Sequence, residues 1–140
     1  MIVPRLILAA AMLAAASVAH AASPAEGRWM TPTRHGEVVI SECGEALCGR
    51  LVDGDGIRAN PSQPDALNKD ASLRNRLLKN LVMLEGFTGG PSEWKGGTVY
   101  NPEDGGTYKG TIKLVDPNTL KLTGCIVFPL CKTQTWVRAK

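Results

Sequence analysis

Two short motifs stand at opposite ends of the sequence that follows residue 22, Gly27-Arg28-Trp29 near its start and Trp136-Val137-Arg138 near its end. Their placement predicts that the first and last strands pair and close a β-barrel, with Trp29, Trp136 and Arg138 at the closure. An arginine guanidinium is planar, always charged and able to stack on an indole face. We therefore expect Arg138 to cover Trp29 at one end of a small barrel.

The first 22 residues read as a leader rather than as part of the fold. They carry one positive charge, Arg5, then an apolar run over 6–16, then a small-residue segment ending at Ala22. This order predicts a signal peptide over 1–22, cleaved after Ala21 or Ala22. The run is shorter than the roughly 20 residues that a membrane helix needs, so we expect no membrane span. The protein is therefore predicted to be periplasmic or secreted.

The remaining region, 23–140, is predicted to be a single domain, because its length suits one small core. Its basic and acidic side chains are interspersed, and the nearest approach to a basic cluster lies within 69–79. A nucleic-acid-binding protein would show clustered Lys and Arg with aromatic residues between them. We therefore expect no nucleic-acid partner. We also expect that the protein has no cofactor and is a monomer.

The four cysteines form two close pairs, Cys43 with Cys48 and Cys125 with Cys131. In an exported protein such spacings predict two local disulfides, Cys43–Cys48 and Cys125–Cys131, although four cysteines allow other connectivities. A zinc site is the alternative, but the spacings are not Cys-x-x-Cys and His35 is the sole histidine after residue 22. We therefore expect no metal site.

Short β-type runs separated by Gly, Pro, Asn and Asp fill most of the domain. Strands are predicted at 26–31, 37–43, 48–53, from Val82 onward, and at 94–100, 107–115, 120–127 and 133–138. Turn residues between the later runs favour consecutive hairpins. The fold class is therefore all-β, a small closed or nearly closed antiparallel up-and-down barrel of about eight strands with one short helix in a long loop.

The long loop, residues 54–80, is named the excursion below. It is predicted to be irregular up to Asp65, and the spacing of Leu73 and Leu77 predicts a short helix or helical turn between Asp70 and Leu81. The loop carries the densest polar cluster of the chain: Asp65, Asn68, Asp70, Arg74 and Arg76. These side chains either form a lid over the barrel mouth or hold the loop in place, with Asp70 capping a turn and both aspartates pairing with the arginines.

Aromatic and large apolar side chains are the candidate ligand contacts. We expect a binding barrel to use Trp94, Tyr100, Tyr108, Phe87 and Met83. Trp94 follows a Gly-rich loop at a strand start, where it could lie on the rim of a pocket. An eight-stranded barrel can hold one small ligand or be filled by its own side chains, and the sequence leaves both open.

Several phrases of the chain, taken in order, resemble a family of bacterial secreted proteins, domain of unknown function 2147. They are Gly27-Arg28-Trp29, Cys48-Gly49-Arg50-Leu51-Val52, Asp65-Ala66-Leu67-Asn68, Leu73-Arg74-Asn75-Arg76, Leu84-Glu85-Gly86-Phe87, Trp94 to Pro102, Gly105-Gly106-Thr107-Tyr108, Leu120 to Cys125 and Thr133 to Arg138. The resemblance implies a lipocalin-like barrel and supplies no known activity. The chain departs from the family pattern in the excursion, at Asn68-Lys69-Asp70 and over 76–80.

No arrangement of nucleophile and base emerges from the sequence, since His35 stands in a polar turn and the serines lack a Gly-x-Ser-x-Gly setting. We therefore expect no catalytic residues and no enzyme. The sequence favours a non-catalytic periplasmic binding protein for a small, largely apolar molecule, such as a lipid or envelope metabolite. The alternative is an envelope protein-interaction or structural module with a packed interior.

Overall fold

Eight antiparallel strands form in the part of the chain that the computed structural model describes, which is residue 4, residues 9–17 and residues 21–140. They are β1 (Gly27–Met30), β2 (Glu37–Cys43), β3 (Ala46–Asp53), β4 (Leu81–Gly89), β5 (Glu93–Asn101), β6 (Gly106–Asp116), β7 (Thr119–Val127) and β8 (Leu130–Arg138). The predicted signal peptide lies partly outside the described residues, Arg5 included. Among those described, no helix has the length and apolar character needed to cross a bilayer.

Each strand pairs antiparallel with the next, and β1 pairs with β8 to close the barrel. Trp29 lies opposite Arg138 and Met30 opposite Val137 in that closing register. The closed up-and-down barrel predicted from the sequence is therefore confirmed. The two disulfides, Cys43–Cys48 and Cys125–Cys131, are present as predicted.

The up-and-down topology gives the barrel two distinct ends. The closed end carries residues 23–26, the β2–β3, β4–β5 and β6–β7 turns, and the C-terminus. The loop end carries the β1–β2 turn, the excursion, the β5–β6 turn and the β7–β8 turn. The excursion therefore lies at the end of the barrel opposite to the paired chain termini of the domain.

Arg138 seals the closed end. Its guanidinium lies 4.3 Å from the Trp29 ring centroid. The same group donates to the carbonyl oxygens of Glu26 at 2.8 Å, Pro24 at 3.0 Å and Pro117 at 3.0 Å. Because one planar guanidinium joins residues 24–26 and the β6–β7 turn, it fixes the N-terminal residues against the last strand.

The barrel interior is filled by its own side chains at mid-height. Phe87 is fully buried, and its ring occupies the space in front of Gly97 and Gly110. A Cβ on Gly97 would overlap that ring, and one on Gly110 would lie 2.9 Å from the Phe87 Cζ atom. Leu84 fills the neighbouring space in front of Gly49 in the same way. Glycines on three strands thus make room for two large side chains instead of for a ligand.

The helix lies elsewhere in the excursion than predicted. A short α-helix, α1, spans Asp55–Ala59, where the sequence predicts irregular chain. Residues Ala71–Leu73 form only a single 3-10 turn, so the prediction of helical structure over 70–81 holds for that one turn. Farther along, Leu78 N–H donates to the Gln63 carbonyl and the chain around Leu77 bridges to Pro64. This extended pairing removes the backbone groups that a longer helix would use.

Candidate functional site

Asp65 is the anchor of the excursion. Asp65 is 1% exposed, and its carboxylate accepts three hydrogen bonds. Tyr100 Oη donates to Asp65 Oδ1 at 2.5 Å, while Asn68 Nδ2 and Arg76 Nε donate to Oδ2 at 2.9 Å each. A buried carboxylate is tolerated only when it is paired and fully hydrogen-bonded, and this arrangement meets both conditions.

Tyr100 connects that anchor to the barrel wall. It lies on β5 next to inward-facing Val99, so strand alternation places its side chain on the outer face. It is nevertheless buried, because the excursion covers it and the Arg76 guanidinium lies 4.9 Å from its ring centroid. Burial, together with the hydrogen bond to Asp65, raises the pKa of the Tyr100 hydroxyl to about 12.

The polar cluster predicted from the sequence forms one hydrogen-bonded network. Asn68 Oδ1 accepts from the Asp70 N–H at 2.8 Å, and the Asn68 carbonyl accepts from Arg74 Nε at 2.8 Å. Asp70 caps the 3-10 turn by accepting from the N–H and hydroxyl of Ser72, and these bonds lower the pKa of the Asp70 carboxyl. Asp70 hydrogen-bonds Ser72, and the charges of Arg74 and Arg76 also act on its carboxylate, without a salt bridge among the described residues.

Gly105 in the β5–β6 turn lets the excursion pack directly on the barrel. Its carbonyl accepts from the Lys69 N–H at 3.3 Å, and its φ of 72° lies in the left-handed region. A Cβ at this position would overlap the carbonyl group of Leu67. The contact therefore requires glycine for both space and backbone conformation.

A groove of about 390 Å³ runs between the excursion and the outer face of the barrel, and we name it the excursion groove. One wall consists of Asn68, Lys69, Asp70, Leu73 and Arg76, and the other consists of Val82, Met83, Glu85, Thr98, Tyr100, Gly105 and Thr107. Apolar surface from Leu73, Val82 and Met83 stands beside four charged side chains, which are Lys69, Arg76, Asp70 and Glu85. Arg76 is already paired with Asp65, so Lys69 is the cation of the groove without a salt bridge among the described residues. Such a groove suits a ligand with an apolar body and a charged or polar group.

Comparison with known proteins assigns the family. Residues 27–138 match a family model described as an uncharacterized protein conserved in bacteria (DUF2147). The chain belongs to the DUF2147 family. The match spans every strand of this DUF2147 barrel, from Gly27 to Arg138.

A solved structure shares the fold of this DUF2147 chain. It is protein HP1028 from the human pathogen Helicobacter pylori, described as belonging to the lipocalin family. The two are 25% identical, with a TM-score of 0.72, and the match covers 82% of each chain. The barrel is therefore lipocalin-like. Among proteins with curated descriptions, none matches the chain.

The DUF2147 structure separates the five predicted ligand contacts. Met83 and Tyr100 line the excursion groove, whereas Phe87 and Trp94 are buried in the core. Trp94 packs at the closed end and is 3% exposed, so it does not form a rim over a pocket at the loop end. Tyr108 instead donates to Asp104 Oδ2 at 2.5 Å within the β5–β6 turn. The five side chains thus do not surround one cavity.

Several residues of the groove escape sequence reasoning. Val82 lies outside the phrases that resemble the family, and the phrases that contain Glu85, Thr98 and Thr107 do not indicate a binding role. The strand register shows that Glu85, Thr98 and Thr107 share an outer surface with Tyr100. In the sequence, Lys69 belongs to a loose basic run and to the departure from the family pattern, and neither feature indicates a place in a groove. Among the described residues, no group of three or more His, Cys, Asp and Glu side chains could hold a metal ion.

Proposed function

We propose that this DUF2147 protein is a non-catalytic periplasmic binding protein for a small molecule with an apolar body and an anionic group, held in the excursion groove. The carrying observation is the groove itself, in which apolar side chains lie beside the exposed Lys69 on walls fixed by the Asp65 network. The sequence pointed to a largely apolar ligand in the barrel. The filled interior moves the proposed site to the outer wall and adds a charged group to the ligand.

The groove is preorganised for binding. Asp65, Tyr100 and Arg76 hold the excursion wall in place, and β4 and β5 supply the opposite wall. A rigid site loses less conformational entropy when a ligand binds. Lys69 is exposed and forms no salt bridge among the described residues, and its charge acts at longer range on the Asp104 carboxylate. Its ammonium can therefore meet an anionic group of a ligand.

A binding role without catalysis is supported by the position of His35. This histidine is exposed in the β1–β2 turn, with Nδ1 at 3.0 Å from Asp55 Oδ1, and it does not line the groove. The hydrogen bond from His35, with that from Arg58, lowers the pKa of the Asp55 carboxyl. These groups pair with one another, and neither His35 nor Asp55 lines the groove.

The periplasmic or secreted location is supported by the leader-like first 22 residues and by the disulfides, since stable disulfides are typical of oxidising compartments. A second candidate function is an envelope protein-interaction or structural module. The observation that favours it is the filled interior, in which Phe87 and Leu84 occupy the space that an enclosed ligand would need.

Native mass spectrometry of the protein isolated gently from the periplasmic fraction is the first test. We expect a co-purifying mass that is lost on denaturation and that identifies the ligand. The bare chain alone would argue for the interaction module, and a crosslinked protein partner lost on altering the excursion would establish it.

Titration calorimetry with dodecanoate tests the groove directly. Lys69→Glu is expected to weaken binding at least about tenfold, because it places a negative charge beside the carboxylate. Lys79→Glu is the matched control, since Lys79 is exposed, belongs to the same excursion and does not line the groove. Equal loss in both variants, or no binding by the unmodified protein together with no co-purifying mass, would overturn the proposal.

A further inference from the structure

The β7–β8 turn presents a run of apolar side chains to water. We name residues 126–130 the β7–β8 tip. The exposed fractions are 73% for Ile126, 63% for Val127, 86% for Phe128 and 64% for Leu130. Hairpin turns ordinarily carry Gly, Asn, Asp and Ser, and a contiguous exposed apolar patch usually marks an interaction site. None of these four side chains belongs to the hydrophobic core of the barrel.

The hairpin holds the tip in a fixed place. The β7–β8 register continues to the pair Val127 and Leu130, and the Cys125–Cys131 disulfide joins the strands directly behind it. The apolar side chains are therefore held in place at the loop end, and Ile126, Val127 and Phe128 also border a shallow groove on the outer wall. Exposed apolar side chains on a fixed hairpin suit insertion into a soft surface.

The strands that carry the tip are rich in positive charge, and the acidic residues of the neighbouring β5–β6 turn, Glu103 and Asp104, already have partners in Arg34 and Tyr108. From Gly105 to Lys140 the sole acidic residue is Asp116, which lies at the opposite, closed end. Lys109 stands opposite Cys125, and Lys132 stands opposite Gly124, in the strand register. Both lysines are exposed, and neither joins an ion pair in the described part of the chain.

Charge and apolar surface are also adjacent on the outer wall. Lys109 and Phe128 line one shallow groove of about 340 Å³ beside the tip. Lysine near an anionic bilayer gains from the surface potential, and apolar side chains enter the boundary between headgroups and acyl chains. Pairing two copies through this tip would bring the same lysines together, so their repulsion disfavours a second chain as the occupant.

We propose that the β7–β8 tip docks the barrel on the surface of an anionic lipid bilayer. Val127 and Phe128 enter the interface, while Lys109 and Lys132 lie beside lipid phosphates. The barrel itself stays outside the bilayer. Docking through the loop end would also bring the excursion groove close to the membrane, although the docking surface does not depend on a ligand in that groove.

Vesicle flotation tests the apolar part of this surface. The protein is mixed with phosphatidylcholine vesicles, with and without phosphatidylglycerol, and we expect flotation with the anionic vesicles. Val127→Ser with Phe128→Ser should reduce the bound fraction at least about tenfold. Val115→Ser with Val137→Ser is the matched control, since both valines are exposed and lie at the closed end. Circular dichroism checks that all variants are folded.

Charge reversal tests the electrostatic part. Lys109→Glu with Lys132→Glu should lower binding to anionic vesicles at least about tenfold, because two favourable charges become unfavourable. Lys113→Glu with Lys140→Glu changes the net charge equally at the closed end and should leave most binding intact. Lys113 lies about 13 Å along β6 from Lys109, beyond the screening length at physiological salt.

Three results would overturn the proposal. One is equal flotation with neutral and anionic vesicles, and another is equal loss in the tip and closed-end variants. The third is absence of vesicle binding combined with a change of oligomeric state in the tip variants, which would assign the tip to contact between copies of the chain. None of these results depends on whether dodecanoate binds in the excursion groove.

Discussion

At the scale of single residues, the Asp65–Tyr100 hydrogen bond decides where the excursion sits. Tyr100 is an outward-facing strand residue that would normally meet water, yet the excursion buries it. The buried carboxylate of Asp65 depends on that hydroxyl as one of its three side-chain donors. The two groups therefore stabilise each other, and neither side chain is well placed without its partner.

This coupling predicts a loss of stability in alkali. The unfolded chain releases the Tyr100 proton near pH 10.0, whereas the folded chain holds it to about pH 12. Within that window the unfolded state binds fewer protons, so the free energy of unfolding falls as pH rises. The contribution of Tyr100, about 3 kcal/mol, is complete below the window and lost above it.

The measurement uses the fact that the chain has two tyrosines. In Tyr108→Phe, the tyrosinate absorbance of the folded protein reports Tyr100 alone, and its midpoint should lie near pH 12. Urea unfolding of Tyr108→Phe and of Tyr100→Phe/Tyr108→Phe should differ at neutral pH and converge above pH 12. A midpoint near 10.0 in protein that circular dichroism shows to be folded would contradict the burial argument.

The sequence predicts the pairing of Asp65 with Arg76 but not the role of Tyr100. Asp65 and Arg76 stand out as opposite charges in one loop, and their pairing is observed at 2.9 Å. Tyr100, the third member of this group, lies 35 residues from Asp65 and in the sequence resembles any strand tyrosine. Its role depends on which outer face the loop covers, and that is set by tertiary packing rather than by local sequence.

At the scale of elements, the contact between the excursion and the β5–β6 turn depends on Gly105. Replacement by alanine would place a Cβ on the Leu67 carbonyl, in addition to the strain of a positive φ. We expect Gly105→Ala to lower the free energy of unfolding by about 3 kcal/mol, of which the φ term is about 1 kcal/mol. Urea unfolding measures the total.

Gly44→Ala is the matched control for that prediction. Gly44 has a similar φ of 69°, but a Cβ there meets nothing within 4 Å. We expect this variant to lose only the φ term, about 1 kcal/mol. Limited proteolysis should also cleave the excursion faster in Gly105→Ala than in Gly44→Ala. Equal stability and equal cleavage in the two variants would show that the Gly105 contact does not hold the excursion.

The elements themselves differ in how far sequence predicts them. The hairpins follow from turn residues and alternation, which are local, so the strands come out in the predicted order. The structure of the excursion does not follow from its local sequence, because Leu73 and Leu77 remain largely exposed and give a helix no core to pack on. Short helices depend on such packing, and here backbone pairing with residues 63–64 takes its place.

At the scale of the whole molecule, the barrel is sealed at one end and filled at mid-height, so its recognition surfaces are on the outside. The paired motifs at the two ends of the domain predict the closure of the barrel from the sequence alone. The sequence does not predict that side chains fill the barrel interior, because Gly49, Gly97 and Gly110 look like ordinary strand glycines. Only the folded barrel shows that the Phe87 ring packs on Gly97 and Gly110 and that Leu84 packs on Gly49.

The filled interior predicts what removal of one ring would do. Phe87→Ala should lower the free energy of unfolding by about 3–5 kcal/mol, because it deletes a fully buried ring and leaves a cavity against Gly97 and Gly110. Phe128→Ala is the matched control, since that ring is 86% exposed, and it should change stability by less than about 0.5 kcal/mol. Xenon or benzene should enter the folded Phe87→Ala barrel and not the unmodified one, because dry apolar cavities take up such probes. If the unmodified barrel already binds benzene in its interior, or if Phe87→Ala is as stable as Phe128→Ala, the interior is open and a ligand within the barrel replaces the outer-wall site.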